Sequence, residues 1–182
     1  MTHVVRDARK WVKLELDTLS FDADSFRPYV ERCRRSGIEF RTMAELNSDP
    51  ATIRSLYELN RECSADIPER GSFYTLDEFV DQRVNTVSYD PQGVVIALDD
   101  TEWVGMAATS DWSRNGYVFN EMTGVKSSHR CRGIAVAMKV LGIAFADECQ
   151  VTKVRTFHHP LNASAIGLNR KLGYVEADFS HP

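Results

Sequence analysis

Residues 121–135 read Glu121-Met122-Thr123-Gly124-Val125-Lys126-Ser127-Ser128-His129-Arg130-Cys131-Arg132-Gly133-Ile134-Ala135. An extended apolar stretch ends at Val125, a short basic loop follows, and a helix is predicted from Gly133 to about Glu148 with Ile134, Met138, Leu141 and Phe145 on one stripe. The first turn of a helix leaves backbone N–H groups unpaired and carries a partial positive charge of about +0.5. The small residues Gly133 and Ala135 would let an anion approach those amides, and Arg130 and Arg132 add donors. The loop is not a Walker loop, since no G-K-[ST] follows, and G-x-G-x-x-G is absent. Taken alone, the segment also fits a basic turn before an ordinary amphipathic helix.

Working outward, the chain just upstream has the period of strands. Val94 to Leu98, the Asp99-Asp100 turn, Trp103 to Thr109, the Asn115-Gly116 turn and Tyr117 to Val125 predict an antiparallel meander. Downstream come a strand (Val151 to Phe157), a helix (Leu161 to Leu172) stopped by Gly173, and a last strand from Tyr174 to about Phe179. The first half of the chain is largely helical. Val12 to Leu16 alternates as a short strand, and a helix follows the Asp22–Ser25 cluster up to Gly37. A strand at Ile38 to Met43 precedes a helix opened by Asp49-Pro50, and Ser64 to Tyr74 has loop character. A capping box, Thr75 to Glu78, opens the next helix, with Leu76, Phe79, Val80 and Val84 as its apolar positions. Helices, then a meander, then β-α-β-α-β make an α/β class with a mixed, mostly antiparallel sheet flanked by helices.

The charge is divided along the chain. The 182 residues carry a formal net charge of -4, yet Lys126 to Lys171 holds eight basic side chains against two acidic ones, a surplus of six that leaves the rest ten negative charges. Such a distribution argues against a general nucleic-acid or anionic-membrane surface and for a local anion site. No apolar run approaches the roughly 20 residues of a membrane span. Residues 1–7 lack the apolar core of a secretory signal, so the expected compartment is the cytoplasm. Cys33, Cys63, Cys131 and Cys149 lie far apart with no C-x-x-C pair and read as free thiols; no spacing of His or Cys matches a metal site.

Arg130-x-x-Gly133-x-Ala135, entered from a meander and followed by Asn162-x-x-Ala165-x-x-x-Asn169-x-Lys171-Leu172-Gly173-Tyr174, resembles the GNAT superfamily of acyl-CoA-dependent N-acetyltransferases. The resemblance covers about Ile38 to Asp178. It implies a domain over residues 38–182 after a strand-helix extension, residues 1–37, that is similar to the joining segment of tandem GNAT proteins. It also implies a V-shaped opening between the strands ending near Val125 and Phe157, with acetyl-CoA as co-substrate and no metal. Its pantetheine would pair with the backbone of Met122, Thr123, Gly124 and Val125, and its pyrophosphate with the amides of Arg130, Cys131, Arg132, Gly133, Ile134 and Ala135. Asn162 falls at a position that contacts the cofactor, although a helix cap after Pro160 explains the same residue.

Acetyl transfer to an amine needs a base, since an alkyl amine with a pKa of about 10.4 is almost wholly protonated at pH 7, a handicap of roughly 4.6 kcal/mol. Many GNAT enzymes resembling this chain place a glutamate where Glu121 lies; pairing with Arg130 or Arg132 is the plainer reading of the same side chain. The tyrosine acid of the family falls at position 169, which is Asn169 here. Asn169 could hydrogen-bond the leaving sulfur, His158 is the fallback acid, and Tyr174 is expected in the core. A GNAT subgroup with T-x-[NH]-x-x-x-N and N-x-x-L-G endings looks similar. The acceptor is expected to be a small, cationic amine drawn by Glu62, Asp66, Glu69, Asp77, Glu78 and Asp81; a solvated helix face explains those charges as well. The substitution at Asn169 also fits a non-catalytic acyl-CoA-binding domain. Val12 to Leu16, read as an exposed strand in want of a partner, suggests a homodimer edge.

Overall fold

A computed structural model describes residues 11–180. The residues read for a targeting segment, 1–7, lie outside the described part. The seven strands are β1 (Val12–Asp17), β2 (Ile38–Thr42), β3 (Val94–Asp99), β4 (Glu102–Trp112), β5 (Tyr117–Val125), β6 (Lys153–His158) and β7 (Val175–Glu176). They form one sheet in the order β2-β3-β4-β5-β6-β1-β7. Every neighbouring pair is antiparallel except β5 and β6, which run parallel. The helices are α1 (Ala23–Arg35), α2 (Pro50–Cys63), α3 (Leu76–Phe79), α4 (Ile134–Glu148) and α5 (Ala163–Lys171). Among the described residues no helix is long and apolar enough to cross a membrane.

The two-residue period of β3 explains the layers. Val95 and Ala97 point to one face, where they meet Val30 and Cys33 of α1 and Ile134, Ala137 and Met138 of α4. Val94, Ile96 and Leu98 point to the other, against Leu56, Leu59 and Cys63 of α2 and Phe79 of α3. Both faces are therefore buried, which is why β3 reads as a continuous apolar run. Local capping places the helices as expected: Asp49 accepts from Thr52 N at 2.8 Å ahead of Pro50, and the Thr75–Glu78 capping box is formed in both directions. Beyond Phe79 the helix widens into a π turn, Val80–Val84.

Two elements depart from the sequence reading. The last strand is two residues long rather than running from Tyr174 to Phe179, although Tyr174 is buried as expected. The larger correction concerns β1. Expected as an exposed strand awaiting a partner, it lies between β6 and β7, with Leu14 registered to Thr156 on one side and Glu176 on the other. Glu15 accepts from Arg155 Nε at 2.7 Å and from Lys153 Nζ at 3.0 Å across the β1–β6 ladder. The edge that motivated a homodimer is thus satisfied within the chain, and local alternation could not reveal it because sheet order is a tertiary property.

Candidate active site

The site grows from the failure of two strands to stay together. β5 and β6 share only the register Val118 to Val154 and Phe119 to Arg155, after which they part. The Thr156 hydroxyl donates to Asn120 O at 3.0 Å at the point of parting. Beyond it, among the described residues, no strand pairs with the backbone of β5 from Met122 to Val125 on its β6 side. On the β4 side the register shifts so that Ala108 faces Met122 and Thr109 faces Asn120, leaving Glu121 as the extra residue of a β-bulge.

That bulge aims Glu121 into a cleft of about 1440 Å³, also lined by Ser110, Trp112, Tyr74, Arg83 and Met122. The carboxylate accepts from Ser110 Oγ at 2.7 Å and from Arg83 Nη1 at 3.2 Å. Arg83 Nη2 in turn donates to the Tyr74 hydroxyl at 3.2 Å, and Trp112 Nε1 to Ser110 Oγ at 3.0 Å. The plainer sequence reading paired Glu121 with Arg130 or Arg132. Instead Arg83, from the π turn, takes that place. Trp112 combines sheet packing, stacked on Tyr117 at 6.3 Å between ring centroids, with a place in the cleft wall.

The loop from Lys126 to Gly133 turns through two left-handed residues, Cys131 at φ 61° and Gly133 at φ 81°, before α4 begins at Ile134. The N-cap residue, Gly133, makes no side-chain cap to that first turn. Arg130 donates to Val125 O at 3.1 Å and pairs with Asp66 at 2.8 Å, while Arg132 pairs with Asp99 at 3.4 Å. These are half-exposed pairs of small worth. A Cβ at Gly133 would lie 3.1 Å from Tyr29 Cδ1, and the positive φ adds strain to any substitution. Gly133→Glu is therefore expected to weaken acetyl-CoA binding at least tenfold by filling this turn, measured by calorimetric titration beside a thermal melt; an unchanged Kd would refute the loop as a phosphate cradle.

Across the sheet lies a second, buried polar group. Asn169 is 1% exposed, and its Nδ2 donates to Ala165 O at 2.9 Å and to His158 Nε2 at 2.7 Å. Its Oδ1 is buried with no hydrogen-bond partner among the described residues. Burial, with Lys139's charge as a further cause, pulls the His158 imidazolium down to about 4. His158 is thus neutral near pH 7 and supports Asn169 rather than holding an acidic proton. Asn162 caps α5, its Oδ1 accepting from Ala165 N at 3.3 Å. Thr123 donates to Asn120 Oδ1 at 3.1 Å, and Gly124 packs so tightly that a Cβ would sit 2.6 Å from Cys63 Cβ. Glu121 thus lines the cleft, whereas Asn169, on α5, is buried against His158 of β6.

Lys139 went unread in the sequence, although it is the only charge between Gly133 and Asp147. It is 3% exposed, and its Nζ donates to Asn120 Oδ1 at 2.8 Å and stands 4.9 Å from the Tyr174 ring. Burial pulls its ammonium down to about 7. The unfolded chain holds this proton to about 10.4 while the folded chain gives it up near neutrality, so its burden on the fold lightens as pH rises between those values. Lys139→Met is expected to be about 1–4 kcal/mol more stable than the parent at pH 6.5. That advantage should vanish by about pH 10 in paired thermal melts; a gap independent of pH would rule out a buried titrating amine.

The acidic stretch expected to draw a cationic acceptor is largely engaged elsewhere. Glu62 pairs with Lys126 at 3.4 Å, Asp66 with Arg130 at 2.8 Å and Glu69 with His159 at 3.1 Å, and Glu78 closes its own capping box. Of the six carboxylates only Glu69 lines the cleft. The charge count of that stretch therefore does not describe the field inside the pocket.

Residues 53–174 match the Acetyltransferase (GNAT) family. The chain belongs to that family. No curated protein matches it. Among solved structures it is similar to a GCN5-related glucosamine N-acetyltransferase region of a fungal multi-domain GH3 β-N-acetylglucosaminidase, with TM-score 0.64, 16% identity, and 92% of this chain and 20% of that one covered. A GCN5-related N-acetyltransferase from Sphaerobacter thermophilus gives TM-score 0.63 at 19% identity, covering 92% and 48%. A tandem GNAT protein from the clavulanic acid biosynthesis pathway gives 0.61 at 17%, covering 92% and 50%. At these identities the likeness is one of fold, and the chain spans a fifth to a half of the length of these proteins.

Proposed function

We propose that this protein is an N-acetyltransferase that moves an acetyl group from acetyl-CoA to the amine of a small molecule. The observation that carries this reading is the bulge: it projects Glu121 into the cleft at the edge of the β5–β6 opening. In the proposed complex the free backbone edge of Met122 to Val125 pairs with the pantetheine arm, and the amides of Arg130 to Ala135 receive the pyrophosphate. Asn162 lies at the start of α5, where its amide nitrogen remains available to the donor. Glu121 removes the amine proton directly or through one water, and the nitrogen attacks the thioester carbonyl. As the carbon–sulfur bond breaks, CoA leaves as a thiolate whose pKa of about 8.5 lessens the need for a strong acid.

Asn169 and His158 then serve as a hydrogen-bonding pair near the opening. The same observation favours a second reading, acyl-CoA binding without turnover, because the Asn169 amide protons are both engaged and His158 is neutral near pH 7. Thiol release from acetyl-CoA with a panel of amines separates them. Turnover with any amine establishes the transferase, while tight CoA binding with no thiol release establishes the second reading. Four of the six acidic side chains expected to draw a cationic acceptor, Glu62, Asp66, Glu69 and Glu78, are engaged within the chain, and the acceptor's chemistry is read instead from the cleft wall.

A further inference from the structure

The charged side chains lining the cleft are Arg70, Arg83, Arg114, Glu69, Asp111 and Glu121, with His159 beside them. The signs balance on paper, but the pairing does not. Each carboxylate is engaged within the chain: Glu121 by Arg83 and Ser110, Glu69 by His159 at 3.1 Å, and Asp111 by accepting from Ser113 N at 2.7 Å. Arg70 and Arg114 have no carboxylate partner among the described residues.

Arg70 is the better placed of the two. It is half-buried, its guanidinium stacked 4.2 Å from the Phe73 ring centroid, and its one hydrogen bond among the described residues runs from Nη1 to Ser64 Oγ at 2.6 Å. A guanidinium has five N–H donors in a rigid fork, so most of its donors have no partner among the described residues. Burial lowers its affinity for its proton, and the nearby Arg83 charge acts in the same direction. Two guanidiniums thus crowd one wall: the Arg70 carbon lies 6.0 Å from the Tyr74 ring centroid and the Arg83 carbon 5.6 Å from the same centroid. Arg83 is already neutralised by Glu121. The uncompensated charge at Arg70, stiffened by its aromatic stack, is a built anion receptor one ring away from the base.

We infer that the acceptor is a carboxylate-bearing amine, an amino acid rather than a simple amine, whose carboxylate forms a charge-assisted pair with Arg70 while its amine reaches Glu121. This inference rests on the transferase reading for its chemistry, but Arg70's recognition of carboxylate can be measured without turnover. Trp11 and Trp112 line the same cleft and report binding by fluorescence.

The test compares amino acids with their matched carboxamides, with CoA present for binding and acetyl-CoA present for thiol release, on the full chain and on Arg70→Gln and Arg70→Lys. The expected result is a carboxylate bound and acetylated roughly tenfold or more better than its carboxamide. Arg70→Gln should raise KM for the carboxylate by a similar factor with kcat little changed, Arg70→Lys should restore part of it, and neither should move KM for the carboxamide. Carboxylate-selective binding that is lost in Arg70→Gln, with no thiol release from any amine, would uphold Arg70 as the carboxylate receptor and overturn the transferase reading. Equal use of acid and amide, or an equal effect of Arg70→Gln on both, would overturn the inference and leave the transferase standing. Absence of carboxylate-selective binding with CoA present overturns it as well.

Discussion

Glu121→Gln is expected to lower kcat/KM by about a hundredfold or more while leaving the fold intact. The substitution keeps the side-chain volume and an oxygen to accept from Ser110 Oγ, which now stands 2.7 Å away, so the bulge should persist. What disappears is the carboxylate that can take a proton from an amine, and a substrate that arrives protonated then reacts only through its small neutral fraction. The loss should therefore be greatest near neutral pH and shrink as pH approaches that of the free amine, about 10. Thiol release followed from pH 6.5 to 10 with both proteins checks this. A variant within threefold of the parent across that range would show that Glu121 is not the base.

Gly93→Ala is expected to produce the largest loss of stability of any small substitution considered. A Cβ there would sit 2.1 Å from the Thr109 carbonyl oxygen and 2.9 Å from Phe145 Cε1. The first contact is with backbone, so no rotamer change relieves it, and Thr109 is the residue at which β4 shifts register against β5. The cost should be about 3 kcal/mol or more, seen as a melting temperature lower by roughly 6–12 °C. Gly167→Ala in α5 is the control: nothing lies within 4 Å of its Cβ, and alanine is the better helix former by roughly 0.5–1 kcal/mol. If Gly93→Ala melts with the parent, Thr109 and Phe145 are not packed as described. A second consequence is functional, since moving Thr109 moves the bulge that aims Glu121.

The features legible in the sequence were those set by local physics. Alternation and helical spacing located the meander, and Asp49, Thr75 and Asn162 announced helix starts because a cap acts within three residues. Glu121 is suggested by the family resemblance rather than by local physics. Its partner Arg83 is suggested by neither, because it lies 38 residues away and enters the cleft through a π turn that no periodicity signals. The acidic stretch is hard to read for a related reason: a count of charges cannot show that Glu62 and Asp66 pair with Lys126 and Arg130, or that Glu69 meets the His159 ring. Lys139 did break an apolar run, but sequence alone gives a buried lysine no partner, and Asn120 supplies one only when β5 and α4 pack together.

The placement of β1 also dictates an order of assembly. Its register partners, Lys153 to His158 and then Val175 and Glu176, lie about 140 to 160 residues further along the chain. When β1 leaves the ribosome its register partners have not yet been made, and its ladder waits until β6 has emerged. Pairings so distant in sequence are slow to form because the intervening loop must close first. β1 precedes its partners in the chain and is therefore among the last of the described strands to dock, entering the sheet only when β6, one side of the β5–β6 opening, has arrived.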